Sequence, residues 1–267
     1  MDKMKVGCIG IGVMGGALME AVIKTVDPAQ VSVFDPDSLK VEAFCQKTGA
    51  QVAPSNRDIA SSADFVFLAV KPQYLPPVLE DIAKSLRPDT VVVSMAAGVK
   101  LEMLKKHLGG HSNIIRIMPN TPAAVGLAMI AVSPDSAVNS ADVDEFRRIV
   151  AKAGLSEIVA ESQMDAVTAV SGSGPAYAYL FIEALSDAAV KMGMPRAQAI
   201  KFSAQTLKGA AEMVLATGTH PAALKDGVCS PAGTTIAAVA KLEENGFRYA
   251  IIDAALAAWE RSKELGK

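Results

Sequence analysis

The sequence predicts an α/β protein: a mostly parallel sheet with crossover helices, followed by an all-helical C-terminal part. Three observations carry this. Short apolar runs alternate with helical stretches through the first part of the chain. Phe65-Val66-Phe67-Leu68-Ala69-Val70 is apolar at every position, the pattern of a parallel strand covered on both faces. Beyond about Leu155–Glu161 no convincing strand follows.

The elements follow in order. Lys5–Ile9 is a short apolar strand, followed by glycines and a helix from about Gly15 to Lys24. Val31–Asp35 reads as a second strand, and Asp37–Lys47 as a polar helix that ends at Gly49. Asp64 precedes the buried strand, and Thr90–Ser94, Ile114–Met118 and Ala128–Val132 supply further strands. Pro175–Met192 is one long helix, apolar on most of its circumference and stopped by Gly193 and Pro195. Pro195–Thr217, Pro221–Asp226, Pro231–Glu244 and Arg248–Glu264 complete the helical part. A helix apolar nearly all round must be buried on several sides. About 100 residues struggle to achieve that alone, so this part is expected to pack against a second copy of itself. The division expected is 1–160 for the sheet domain and 161–267 for the helical domain.

Composition narrows the function. The 267 residues are 51% hydrophobic and carry a formal net charge of -2, an ordinary globular composition. With no basic excess, a nucleic-acid or anionic-membrane surface is not expected. Cys8, Cys45 and Cys229 are far apart, lack metal-ligand spacing and suggest no disulfide framework, so a reducing, cytoplasmic compartment is expected. Lys3 and Lys5 lead into an apolar run that glycines break at once, unlike a signal peptide. No run approaches the roughly 20 apolar residues that span a bilayer. His107, His111 and His220 sit in no motif with a nucleophile, and no cluster suits a metal. Chemistry therefore rests on a cofactor that the protein positions.

That cofactor is legible in Ile9-Gly10-Ile11-Gly12-Val13-Met14-Gly15, a G-x-G-x-x-G between strand and helix. Gly10 permits the tight turn, Gly12 lets backbone approach a pyrophosphate, and Gly15 allows close helix–strand packing. The helix start offers free N–H groups and partial positive charge. This is the signature of a Rossmann-type domain binding a nicotinamide dinucleotide. Asp35 stands about 23 residues after Gly12, near the expected place of a ribose-binding acid. A carboxylate there favours NAD by repelling a 2′-phosphate, whereas Asn56 and Arg57 near the same pocket would help NADP. Asp35 is also a common turn residue before Pro36.

Ligands in open α/β sheets bind at the carboxyl ends of strands. Three strands end there in Ala69-Val70-Lys71-Pro72, Ser94-Met95-Ala96-Ala97-Gly98 and Met118-Pro119-Asn120-Thr121-Pro122. Their prolines stiffen the chain, which suits holding a flat ring; each loop alone also reads as an ordinary connection. In the helical part, Ser171-Gly172-Ser173-Gly174-Pro175 is a well-formed helix start, with small residues that leave room for substrate. Cys229-Ser230-Pro231-Ala232-Gly233-Thr234-Thr235 also starts a helix. Free N–H groups, Gly233 and two hydroxyls would cradle a carboxylate. Equally, this is a helix cap with a threonine bonded back to its own helix.

Together these motifs resemble the pyrroline-5-carboxylate reductase family, in order along essentially the whole chain. They are Gly10 to Gly15, Phe67 to Pro72, Arg116-Ile117-Met118-Pro119-Asn120-Thr121-Pro122, Ser171 to Tyr177, and Val228 to Thr235. The resemblance implies reduction of 1-pyrroline-5-carboxylate to L-proline by hydride transfer from NAD(P)H. It implies cofactor contacts from Ile9, Gly10, Ile11, Gly12, Val13, Met14, Asn56, Ala69, Val70, Lys71, Pro72, Ala97 and Asn120, with Asp35 beside them. It implies substrate contacts from Glu161, Gly227, Ser230, Gly233, Thr234 and Thr235, with Thr235 as the catalytic residue. Homodimers through the helical domain, assembled into larger rings, are also implied. Asp35 departs from the small or basic residue common in the family, which bears on NADPH preference. Two other readings stand beside this one. A β-hydroxyacid dehydrogenase shares the glycine loop, but would place a lysine one turn after Gly174, where Pro175-Ala176-Tyr177-Ala178 has none. A non-catalytic NAD(P) redox sensor would have no need of a second anion cradle.

Overall fold

Val6–Ile9 forms strand β1, buried at every position because sheet neighbours flank it on both sides. This computed structural model describes residues 4–266; Lys3 and the outermost ends of the expected domain ranges lie outside them. The chain continues through helix α1 (Val13–Val22), strand β2 (Val31–Phe34), α2 (Ser38–Thr48), β3 (Gln51–Val52) and α3 (Asn56–Ser62). Next come β4 (Phe65–Leu68), α4 (Leu75–Ala83), β5 (Val91–Ser94), α5 (Leu101–His107), β6 (Ile114–Met118), β7 (Ala128–Pro134), α6 (Ser140–Val150) and β8 (Gly154–Ile158). The helices α7 (Met164–Val167), α8 (Gly174–Lys191), α9 (Arg196–Thr217), α10 (Pro221–Val228), α11 (Thr234–Glu244) and α12 (Phe247–Leu265) complete it.

One eight-stranded sheet runs β3-β2-β1-β4-β5-β6-β7-β8. All neighbours are parallel except β6 and β7. The first six strands thus stand in the 3-2-1-4-5-6 order of a doubly wound dinucleotide-binding sheet. Its faces are covered separately. Phe65 and Phe67 of β4 point into one core with α1, α2 and α6, through Leu18, Phe44 and Phe146. Val66 and Leu68 point into the other, with α3, α4 and α5, through Ile59, Leu79 and Leu104. Strand alternation sends every second side chain to each layer, so the uniformly apolar run buries both faces.

The chain divides into two compact units. One holds the residues up to Ser173 together with the segment from Ala258. Within it the end of α12 is anchored: the Ser262 hydroxyl donates to Asp165 Oδ1 at 2.7 Å, and Leu265 packs on Gly98. The other unit is Gly174–Ala257, wholly helical among its regular elements. Both apolar cores belong to the first unit, and in the second Ala199 of α9 is buried. In the second, Leu180, Phe202, Leu215, Tyr249 and Ile252 are more than half exposed. No helix among the described residues is long and apolar enough to cross a membrane.

The structure changes three local expectations. Gln51–Val52 is an unforeseen edge strand, two exposed residues paired to Ser32 and Val33. Ser171–Pro175 opens the long helix as expected, at Gly174, but out of a preceding helical turn and not from an extended lead-in. The chain is already helical from Met164, widens into a π turn over Thr168–Gly172 and runs into α8. Ser173 N–H closes that turn onto the Thr168 carbonyl at 2.8 Å. A Cβ on Gly172 would lie 2.7 Å from Met118 Cε, so the small residues let the wide turn pass Met118. Finally, the helix expected from Pro231 begins at Thr234, because Ala232 adopts a left-handed φ of 57°.

Gly15 and Gly16 offer a paired test of packing. A Cβ on Gly15 would collide with the Gly10 carbonyl oxygen and lie 2.8 Å from Ala69 Cβ, whereas one on Gly16 meets nothing within 4 Å. Gly15→Ala is expected to destabilise by about 1–3 kcal/mol. Gly16→Ala is expected to be neutral or to stabilise by up to about 1 kcal/mol through helix propensity. Urea unfolding of both variants checks the pair.

Candidate active site

The sheet order turns at β1: the chain moves outward through β2 and β3, then returns to β4 on the other side. At such a switch point, the loops after adjacent strands separate and leave a crevice at their carboxyl ends. A cavity of about 500 Å³ lies there. It is lined by Ile9, Gly10, Gly12, Asp35, Asn56, Ala69, Val70 and Lys71, all expected, together with Phe34, Pro36, Lys40, Tyr74, Pro77 and Val78. Residues from four separate stretches of sequence thus converge on one hollow.

The glycine loop is shaped by close approaches. Gly10 has φ 98°, a left-handed conformation that favours glycine, and a Cβ there would lie 2.8 Å from the Ala69 carbonyl oxygen. Gly12 is the N-cap of α1 in extended conformation, with no side-chain cap and open space where its Cβ would be. Val13 and Ile11 line a neighbouring hollow on the α1–α2 side, and Met14 packs on the sheet core. Beneath the loop, the Cys8 thiol donates to the Gly10 carbonyl at 3.4 Å, and burial pushes its pKa far up, so it stays a thiol. Pro72 begins the short 3₁₀ turn Pro72–Tyr74 that carries Tyr74 to the cavity.

Asp35 does more than end a strand. Its Oδ2 accepts the Ile11 N–H at 2.9 Å and its Oδ1 accepts the Asp37 N–H at 3.0 Å. The carboxylate therefore ties the glycine loop to the turn after β2. Asn56 Nδ2 donates to Asp81 Oδ2 at 3.3 Å, while its Oδ1 is buried without a partner. A buried orphan acceptor on a residue of the cavity wall suits a ligand that brings a donor, as a nucleotide's hydroxyl or amine does. Arg57 is committed elsewhere: its Nε donates to Asp81 Oδ1 at 2.7 Å, and it does not line the cavity.

The other expected residues fall into two groups. Ala97 is a half-buried turn residue after β5. Asn120 is fully engaged within the chain, donating to the Ser171 carbonyl at 3.1 Å and accepting the Met129 N–H at 3.1 Å. Glu161 Oε1 accepts the Leu101 N–H at 2.7 Å and pairs with Arg116 Nη1 at 3.0 Å. Arg116 is 6% exposed, and sequence reasoning gave it no role. A single arginine inside Ile114-Ile115-Arg116-Ile117-Met118 was the signal that a buried partner existed.

In the second unit, Gly227 lies in α10 and Ser230 in the turn that follows. Gly233 is the N-cap of α11, with no side-chain cap. A Cβ there would collide with Ser230 Oγ, so any larger residue would force the serine side chain to turn away. The first helical bond of α11 is from Ala237 N–H to the Gly233 carbonyl at 3.4 Å, which leaves the N–H groups of Thr234, Thr235 and Ile236 outside the ladder. Thr48, Thr168 and Thr217 each bond back to the carbonyl four residues earlier. Among the described residues, the Thr234 and Thr235 hydroxyls make no such bond. The self-capping alternative therefore does not apply.

Comparison with known proteins completes the picture. Residues 161–265 match the family model for pyrroline-5-carboxylate reductase dimerisation, and residues 5–98 match that for NADP oxidoreductase, coenzyme F420-dependent. The pyrroline-5-carboxylate reductase of Escherichia coli (strain K12) is 48% identical over 269 residues, covering 100% of both chains. This chain belongs to the pyrroline-5-carboxylate reductase family. Solved structures of the family share its fold over the full length. The NADP-bound pyrroline carboxylate reductase of Plasmodium falciparum is 33% identical with a TM-score of 0.90, covering 100% of both chains. The Coxiella burnetii pyrroline-5-carboxylate reductase is 34% identical with a TM-score of 0.92, again over 100% of both. As a family member the chain carries the Rossmann-type sheet and the helical dimerisation region expected from its motifs.

The Arg116–Glu161 pair tests how the family's sheet is joined to the turn at Glu161. Glu161→Ala leaves a buried guanidinium without its carboxylate and is expected to destabilise by about 3 kcal/mol. Adding Arg116→Met should recover part of that loss, because the unpaired charge goes with it. Denaturant midpoints of the single and double variants check this.

Proposed function

We propose that this chain reduces 1-pyrroline-5-carboxylate to L-proline with NAD(P)H, the last step of proline biosynthesis. The observation that carries this reading is the 48% identity to a pyrroline-5-carboxylate reductase, unbroken across both functional halves. When bound, NAD(P)H supplies the hydride that the imine carbon accepts. Gly10, Gly12 and the start of α1 hold the pyrophosphate through backbone N–H groups. Ala69 to Pro72, Ala97 and Asn120 shape the loops that keep the nicotinamide end in place. Asn56 offers its orphan acceptor to the adenosine end.

The start of α11 holds the substrate. The N–H groups of Thr234, Thr235 and Ile236 receive its carboxylate, with Gly233 keeping the approach clear and Gly227, Ser230 and Glu161 framing it. Anchoring the carboxylate converts binding energy into alignment of the ring. The Thr235 hydroxyl hydrogen-bonds the ring nitrogen, fixing its orientation and relaying its proton. An unassisted hydroxyl is a poor acid, so its contribution is positioning and relay. A hydroxyacid dehydrogenase would need a lysine one turn into α8, and Pro175-Ala176-Tyr177-Ala178 provides none.

The helical unit pairs with a second copy, and the dimers assemble into a larger ring. Tyr177, Leu180, Phe181, Leu242, Phe247 and Ile251 line an apolar hollow of about 760 Å³ within that unit, which a partner's helices would fill. Three free cysteines suit a cytoplasmic setting.

Thr235→Ala is expected to lower kcat/KM for 1-pyrroline-5-carboxylate by about 10²-fold with the fold intact. Steady-state oxidation of NAD(P)H with proline as product measures it, and a normal rate would remove Thr235 from the mechanism. Because binding of a second copy stabilises only the folded state, Tm should rise with protein concentration. A Tm independent of concentration, with a monomer in sedimentation, would refute the paired helical unit.

A further inference from the structure

The cavity at the β1–β4 switch point contains an acid whose consequence for cofactor choice follows from its hydrogen bonds. This inference rests on the dinucleotide reading of that cavity. Asp35 is held from two directions, by the Ile11 N–H at 2.9 Å and the Asp37 N–H at 3.0 Å. A carboxylate gripped by two backbone groups cannot swing aside without freeing both donors. Each oxygen retains acceptor capacity beyond its one backbone bond. Two remaining acceptor sites on one fixed carboxylate match the two neighbouring hydroxyls of a ribose, whereas a phosphate on that ribose would meet like charge.

The surrounding charges do not offset it. Two lysines line the cavity: Lys40 is paired with a second carboxylate, its Nζ 3.0 Å from Asp37 Oδ2, and Lys71 stands on the turn after β4 rather than on the turn after β2 that holds Asp35. The arginine nearest in sequence to the cavity residue Asn56 is Arg57, and it donates to the Asp81 carboxylate and carbonyl instead. Among the described residues, no arginine lines the cavity. We propose that Asp35 makes this chain select NADH over NADPH, by accepting the free adenosine ribose hydroxyls and repelling a 2′-phosphate.

The test reads binding rather than turnover. NADH and NADPH are titrated separately into the purified full chain, with no imine present, following nicotinamide fluorescence. At low salt NADPH should bind at least about tenfold more weakly, about 1.4 kcal/mol, since like charges brought together disfavour binding. The gap should narrow as salt screens the repulsion. Equal or tighter binding of NADPH would overturn the proposal, as would a preference for NADH that salt leaves unchanged. Asp35→Ser should shrink the NADH/NADPH ratio in the same titration, and an undiminished ratio would show that the preference lies elsewhere. Because Asp35 also holds the glycine loop, the salt dependence of the unaltered chain decides the point if the variant is too damaged to bind. Failure of the reductase reading would look different: the expected binding ratio, with no proline formed.

Discussion

The site depends on one close approach, between the turn after β1 and the end of β4. Gly10 and Gly15 leave no room for a Cβ because the Gly10 carbonyl, the Ala69 carbonyl and the Ala69 methyl occupy that space. That contact sets the start of α1 directly against the sheet edge, where its N–H groups face the crevice at the switch point. It also brings the Ala69–Lys71 stretch to the same wall as the glycine loop. Asp35 then fastens the third strand end to the loop through the Ile11 N–H. A crevice is thereby assembled from the ends of β1, β2 and β4 by close backbone approach and one carboxylate.

The second constraint is the opposite one, a shortage of burial. Within Gly174–Ala257 only Ser186, Ala199 and Ser203 are buried, while many large apolar side chains remain open to solvent. Apolar burial is the main favourable term in folding, and a unit that buries so little in one chain has to find it in another. The match of residues 161–265 to a dimerisation model meets that requirement.

The middle of the sheet was legible because β1, β4 and β5 are written in short, nearly uninterrupted apolar runs. Phe65–Val70 could be placed on both faces of a covered sheet from its pattern alone. Gln51–Val52 could not, because two exposed residues at a sheet edge carry no pattern. The unforeseen turn before α8 and the late start of α11 have one cause. Serine, glycine and proline are local signals of a helix start, but a π turn beside Met118 and a left-handed Ala232 are set by packing. Arg116 with Glu161, 45 residues apart, and Asp35 with Ile11, 24 apart, were likewise beyond reach, since hydrogen bonds across the fold leave no spacing to read.

A glycine N-cap marks the starts of α1 and α11, whereas α4 and α9, also without a side-chain cap, follow Tyr74 and Pro195. Asp37, Ser55 and Asn139 cap α2, α3 and α6 with side-chain oxygens, each accepting an N–H of its own first turn. Glu161 does the same for α5 from a distance, through Leu101. Those helix ends have little left to offer a ligand. By contrast α1 and α11 start after Gly12 and Gly233, both extended and without a side-chain cap. Glycine at an N-cap costs only a few tenths of a kcal/mol relative to a capping side chain. In exchange, the first N–H groups stay unclaimed and unshielded by any Cβ. In the proposed function a dinucleotide pyrophosphate and an imino-acid carboxylate are both anions, and the same device, used once in each unit, would give each of them a helix start to bind.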